Sequence, residues 1–214
     1  LQNAIASLPN SQSQVGRVNK YTAYSLLGKV LLYQDKFTEA ASALDNVIGV
    51  YSLVSDYGSQ FLRFGENGPE SVFEIQYSNQ SNWYDWGCTH CSEGNYAIIM
   101  NGPRGWSGPE YAQGWSFNVP TEEFYNSFEE GDSRRDATVL DIEAFAAATG
   151  ASYTEGYDHT GYFNNKYIPR AGESGGQTEL NYLTNFRIIR YSDVLLMAAE
   201  AYNRGGIDDG LAQE

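Results

Sequence analysis

The 214-residue chain carries 13 Lys plus Arg against 27 Asp plus Glu, a net charge of −14, with 17 Tyr, 10 Phe, 4 Trp and 22 Gly. Binding along a nucleic-acid backbone needs clustered cations, which are lacking here; aromatics at this level argue against disorder; and no apolar run approaches the ~20 residues a helix needs to cross a bilayer. What remains is an acidic globular chain of one domain or two small ones.

The chain opens on Leu1 without an initiator Met, a basic n-region or an apolar h-region, and it ends on helix formers, Leu211 to Glu214, with no stop signal. Both ends read as cut from something longer, so the missing targeting signal is no argument for a cytoplasmic protein. Residues 1–19 read as the tail of a helix, with Leu1, Ile5 and Leu8 at helical spacing, followed by a linker around Pro9-Asn10-Ser11. From Lys20 to about Val50 the pattern is helix, turn, helix. Ala23, Leu26, Leu27, Val30 and Leu31 supply an apolar face, Gln34-Asp35-Lys36 the turn, and Phe37 through Ile48 the second helical period.

Within this pair Tyr24, Leu27-Gly28, Ala40 and Leu44 take the aromatic, Leu-Gly, Ala and apolar places of the tetratricopeptide pattern. Small Gly28 and Ala40 would let two antiparallel helices approach, with Leu27 and Leu44 filling the space beside them. One repeat cannot bury its own face, so further repeats are expected to stack on it. A generic helical hairpin is the plainer alternative.

Residues 51–68 read as irregular. Ser71 to Tyr77 reads as extended, with Phe73, Ile75 and Tyr77 on one face and Glu74 and Gln76 on the other. An aromatic-rich loop follows from about Asn79 to Gly114, and all four Trp lie between Trp83 and Trp115. Thr121 is placed to cap a helix through Phe124 and Phe128 that ends at Gly131, with Glu122 and Glu123 in its first turn. After Asp132-Ser133-Arg134-Arg135-Asp136, an Ala-rich stretch to Gly150 reads as one further helix, and Ala151 to about Thr184 as loop. The span Ile188 to Tyr202 reads as a strong helix with Val194, Leu195, Ala198 and Ala201 as its core, closed by Gly205-Gly206.

The segments Pro120-Thr121-Glu122-Glu123-Phe124, Gly131-Asp132-Ser133-Arg134-Arg135-Asp136, Lys166-Tyr167 and Arg190-Tyr191-Ser192-Asp193-Val194-Leu195-Leu196-Met197-Ala198-Ala199-Glu200-Ala201 occur in the order seen in SusD/RagB-type nutrient-binding proteins. The hairpin wording Leu31-Leu32-Tyr33-Gln34 before Phe37-Thr38-Glu39-Ala40 also resembles that family. The resemblance implies a mainly α fold, with a tetratricopeptide-type helix-turn-helix scaffold, long irregular loops and minor β. It further implies that the chain is an internal piece of a single SusD-like domain. Residues 1–50 would hold the tetratricopeptide hairpin, 51–185 a loop-rich ligand-binding region, and 186–214 the start of a C-terminal helical repeat. Members of the family are cell-surface lipoproteins of Bacteroidetes-type bacteria. They capture oligosaccharides and cap a SusC-like TonB-dependent transporter in the outer membrane. The lipid-bearing N-terminal Cys and the C-terminal helices of the family are not in this chain, so anchoring is implied by the resemblance alone.

Sugar faces pack their C–H groups on aromatic rings, while their hydroxyls need amide, carboxylate or guanidinium partners at the edge. The runs Asn82-Trp83-Tyr84-Asp85-Trp86 and Asn101-Gly102-Pro103-Arg104-Gly105-Trp106 offer that mixture. The candidate ligand residues are Trp83, Tyr84, Asp85, Trp86, Tyr96, Asn101, Arg104 and Trp106, with Tyr111 weaker. The plainer alternative is that these rings pin long loops to the scaffold, and Trp115 is read as structural.

Cys88-Thr89-His90-Cys91 is read first as a short-loop disulfide on an oxidising cell surface. Free thiols, or metal or redox chemistry, are the other readings. For a glycoside hydrolase, Asp85, Glu93 and Glu110 lie in the aromatic stretch, but their spacing singles out no pair. Glu129, Glu130, Asp132 and Asp136 read as a solvated turn, with calcium binding a lesser reading. No nucleophile elbow, phosphate loop or metal-binding His pair occurs. The sequence therefore reads as a non-catalytic oligosaccharide-binding protein without cofactor or nucleic-acid partner. A tetratricopeptide scaffold for protein binding is the runner-up, and a glycosidase the third reading.

Overall fold

Residues 1–80, 86–175 and 180–213 are described by a computed structural model of the protein. In chain order the elements are α1 (Gln2–Ser7), α2 (Lys20–Leu32), α3 (Phe37–Leu44), β1 (Ser71–Ile75), α4 (Ala97–Met100), β2 (Arg104–Ser107), α5 (Glu122–Asn126), α6 (Arg134–Thr138), β3 (Val139–Asp141), α7 (Ile142–Thr149), β4 (Ser152–Thr154), β5 (Tyr162–Asn164), β6 (Phe186–Arg190) and α8 (Tyr191–Arg204), with short 3₁₀ turns between. Among the described residues the strands form only two-stranded pairs, so the fold is mainly α with minor β. The chain divides into two units. The first holds Leu1–Ser55, Glu66–Ile75 and Phe186–Glu214; the second holds Asp56–Gly65 and Gln76–Asn185.

In the first unit, the Asn19 side chain accepts the Thr22 N–H at 2.9 Å and caps α2. The core of α2, α3 and α8 is built from Leu32, Ala40, Leu44, Val47, Val194, Ala198 and Ala201. At Gly28 the two helices of the hairpin meet without a side chain between them. A Cβ there would lie 2.4 Å from Leu44 Cγ and 2.5 Å from its Cδ2. Gly28→Ala is therefore expected to lower the melting temperature. Ala improves helix propensity by about 1 kcal/mol; overpacking against the fully buried Leu44 costs roughly 1–3 kcal/mol. A thermal melt checks the sign, and an unchanged or higher Tm would mean that Leu44 can repack. The apolar face expected on α2 is only partly inward: Leu26 and Val30 are exposed, while Thr22, Ala23, Ser25, Gly28 and Leu32 are buried.

β1 pairs antiparallel with β6, and its faces are the reverse of the expected ones. Val72 and Glu74 point inward and Ile75 is exposed. The inversion has an electrostatic cause. Arg187, buried on β6, lies 3.7 Å from Glu74 and 3.8 Å from Glu66, so the strand pair encloses a charge cluster. Beside it Arg190 donates to Glu70 at 3.0 Å. The same alternation corrects the last helix. Phe186 to Arg190 is a strand with Arg187 and Ile189 inward, and the helix begins only at Tyr191.

In the second unit, Thr121 accepts the Phe124 N–H at 3.2 Å and caps α5 as expected. The Ala-rich stretch is two helices rather than one. Val139 and Leu140 are buried and pair with Asn164 and Phe163 in the β3–β5 ladder, which interrupts the helical run between α6 and α7. Asp141 then caps α7, and Gly150, at φ +73°, ends it.

Candidate functional site

The site is built on the strand-like backbone that follows α4. Trp115 and Phe117 donate their N–H groups to Ile99 and Met100, each at 2.8 Å, while Ser116 and Gly114 donate to Gly102 and Pro103 at the same distance. Gly102 and Gly114 cross so closely that a Cβ on Gly114 would lie 2.3 Å from Gly102 Cα. Only glycine permits that approach. Beneath this layer Ile98, Ile99 and Tyr182 form a core on which Met100, Trp115 and Tyr167 pack.

Trp86 stacks on the outer side of this support. Its ring lies 5.5 Å from that of Trp115, centroid to centroid, at an interplanar angle of 28°, and it remains 49% exposed. Arg104 Nε donates to the Trp115 carbonyl oxygen at 2.8 Å, and the guanidinium carbon lies 5.7 Å from the Phe117 ring centroid. Phe117 is 53% exposed. Trp86, Trp115, Arg104 and Phe117 thus form one continuous run of contacts that joins flat apolar faces to a fixed hydrogen-bond donor. Trp115 supports this run from below, as its structural reading expects, and also forms half of the stack. Phe117 was not among the expected site residues; the signal available for it is an aromatic between two turn-forming residues, Ser116 and Asn118.

The other candidates fall elsewhere. Trp83, Tyr84 and Asp85 lie outside the described residues. Tyr96 is exposed; Tyr77, whose phenol is pushed up by burial and then by its proximity to Tyr96, is near it. Asn101 is buried and engaged in the framework: its amide donates to the Ala97 and Tyr167 carbonyls, and its oxygen accepts from Asn118 at 3.0 Å. Trp106 packs into a second core of Tyr111, Leu140, Ile142, Phe163 and Ile168, against the rings of Tyr111 and Phe145. Its Nε1 is buried without a hydrogen-bond partner among the described residues. Tyr111 is buried beneath the Arg170 guanidinium, and its phenol is pushed up to about 12 by burial and then by Glu110.

Cys88 and Cys91 are joined by a disulfide. Their sulfurs and a His90 ring nitrogen lie within 4.8 Å of one another, but sulfurs held in a disulfide are not the thiolates a metal requires. Among the acids, Glu110 is ion-paired with Arg170 at 2.9 Å. Arg134 grips Asp132 with two nitrogens, which holds that carboxyl at about 2. Glu93 is exposed. In the first unit, a groove of about 500 Å³ lined by Lys29, Tyr33, Asp193 and Arg204 has no tryptophan among its described lining residues, and neither does one of about 720 Å³ lined by Ile5, Tyr24, Leu27 and Leu31.

Comparison with known proteins settles the relationship. The family model described as the SusD family matches residues 69–214. The chain belongs to the SusD family. It is 30% identical, over 95% of its length, to SusD-like protein P2 of Formosa agariphila, and covers 41% of that protein. A solved laminarin-binding SusD-like protein superposes with a TM-score of 0.89 at 38% identity, over 99% of this chain and 49% of the other. Surface glycan-binding protein A of Bacteroides thetaiotaomicron, solved in complex with laminarihexaose, does so with a TM-score of 0.87 at 30% identity, over 98% and 51%. The chain therefore spans about half the length of these relatives or less. The SusD-like fold expected from the motif order is the fold observed.

Proposed function

We propose that the chain is part of a cell-surface glycan-binding protein that captures an oligosaccharide and delivers it, without chemistry, to a SusC-like TonB-dependent transporter. The observation that carries this reading is the half-exposed Trp86 ring stacked on Trp115 with Arg104 fixed beside it. A stacked indole pair offers a broad apolar face to sugar C–H groups, and an anchored guanidinium offers donors to their hydroxyls. The net charge of −14 favours a neutral glycan over an anionic one. Laminarin or its hexasaccharide is named for two of the solved relatives, so β-linked glucan oligosaccharides are the first ligand class assigned to the platform.

In this reading the protein sits on the outer face of the outer membrane, held by an N-terminal lipid, and both units belong to one SusD-like domain. The described tryptophans lie in the second unit and not along the helical grooves of the first, which weighs against a protein-binding scaffold. Of the acids weighed for a hydrolase, Glu110 is ion-paired with Arg170 and Glu93 is exposed, while Asp85 lies outside the described residues. Titrating the protein with laminarihexaose, cellohexaose and maltohexaose, and assaying each mixture for new reducing ends, tests the proposal. Saturable binding of at least one glucan with no rise in reducing ends is the expected outcome. Binding to none of them would contradict the capture role, and accumulating reducing ends would contradict its non-catalytic character.

A further inference from the structure

The backbone that carries the platform adopts a costly conformation at two non-glycine positions. Ser116 has φ +58° and Asn118 has φ +52°, both in the left-handed region. Such residues cost on the order of 1–3 kcal/mol each and persist only where surrounding structure over-determines them. Here it does. The Ser116 N–H is bound to the Gly102 carbonyl, its Oγ accepts the Arg104 N–H at 3.2 Å, and the Asn118 amide is bound to Asn101 Oδ1. Ser116 is also pressed against the chain at Gly156, where a Cβ would come within 2.8 Å of the serine Cβ. Asn101, one of the expected ligand residues, thus contributes by holding this turn.

What the strained turn displays is Phe117. A phenyl ring that belongs to the fold is normally buried, yet this ring is 53% exposed and joins none of the apolar cores among the described residues. The described group over its face is the Arg104 guanidinium. Arg104 is in turn fixed by its Nε bond to the Trp115 carbonyl, which holds a guanidinium with further N–H donors beside the Phe117 ring. An apolar face, a fixed fork of donors and a second apolar face follow one another along the surface.

We propose that Phe117 and Arg104 form a second sugar subsite beside the Trp86–Trp115 stack, so that the platform binds consecutive residues of a glucan chain rather than a single terminal sugar. The inference rests on the glycan reading above and assigns it a chain-length requirement. Trp86 and Trp115 hold one sugar, the phenyl ring of Phe117 packs on a neighbouring one, and the Arg104 fork donates to hydroxyls of both.

The test is a set of titrations with methyl β-glucoside, which fills one subsite, and laminarihexaose against the parent protein and the variants Phe117→Leu, Arg104→Lys and Trp86→Ala. Phe117→Leu keeps an apolar side chain at an exposed position, and its melting curve is expected to match the parent. Its affinity for the hexaose should fall about fivefold while that for the monosaccharide changes less than about twofold. Arg104→Lys keeps the charge but loses the anchored fork, and because that fork donates to both sugars it should weaken both ligands. Trp86→Ala should weaken both ligands. Hexaose binding by Phe117→Leu within twofold of the parent, with Trp86→Ala impaired, would overturn the second subsite and leave the glycan reading standing. If Trp86→Ala also binds like the parent, or if the parent binds neither sugar, the glycan reading falls and the subsite with it.

Discussion

Glu74→Ala is expected to lower the melting temperature by roughly 6–20 °C. The Glu74 carboxylate is 1% exposed and faces Arg187, itself 3% exposed, across the β1–β6 pair. It also accepts the Asn67 N–H at 3.1 Å. Removing it takes one of two carboxylates, Glu74 at 3.7 Å and Glu66 at 3.8 Å, away from a buried guanidinium charge. Breaking a buried ion pair from one side costs about 3–5 kcal/mol. A chain of this length converts each kcal/mol into roughly 2–4 °C of Tm. An exposed pair such as Lys29–Asp193 should by contrast be close to neutral on substitution. Differential scanning calorimetry of Glu74→Ala and Asp193→Ala checks the contrast, and equal shifts in the two variants would mean that the β1–β6 cluster is hydrated.

The largest expected functional effect belongs to Trp86→Ala. The indole is half exposed, so truncating it leaves the core beneath Trp115 intact, and the melting curve should barely move. The ligand, however, loses the broad outer face of the stack. Central aromatic anchors of binding sites contribute on the order of 2 kcal/mol or more, which corresponds to about 30-fold or more in affinity. Trp106→Ala should behave in the opposite sense. That ring is wedged against Tyr111 and Phe145, so its removal opens a cavity and lowers Tm, with a smaller effect on affinity. Calorimetric titration and a thermal melt of both variants separate the roles; a Trp86→Ala protein that binds a glucan as tightly as the parent would remove the stack from the site.

The parts of the fold that were legible in the sequence are those set by local spacing. Gly28, Ala40 and Leu44 stand at tetratricopeptide offsets, and the structure presses Leu44 onto Gly28 as that spacing implies. Thr121 and Gly150 mark helix ends for equally local reasons. The inward face of β1 was not legible. Glu74 is tolerated inside only because Arg187 arrives from a strand far along the chain, and alternation read on one strand assigns a carboxylate to solvent. Ile188 to Arg190, expected as the first turn of the helix, instead end β6, because that strand is fixed by its pairing with the distant β1.

At the site, the density of Trp and Gly located the region but not the roles within it. Trp86 and Trp106 are equivalent as letters. One is half exposed because Trp115 supports it from beneath, and the other is packed because Phe145 of α7 covers it. Such differences come from contacts between segments distant in sequence. Phe117 is exposed because its neighbours take left-handed backbone, a choice that Ser116 does not advertise.

A crystal structure of the protein soaked with laminarihexaose addresses glycan capture on this platform most directly. The expected result is a pyranose ring lying parallel to the Trp86 indole within about 4 Å, with the Arg104 guanidinium hydrogen-bonded to its hydroxyls. Sugar density on the helical grooves of the first unit, with the Trp86 face bare, would contradict it.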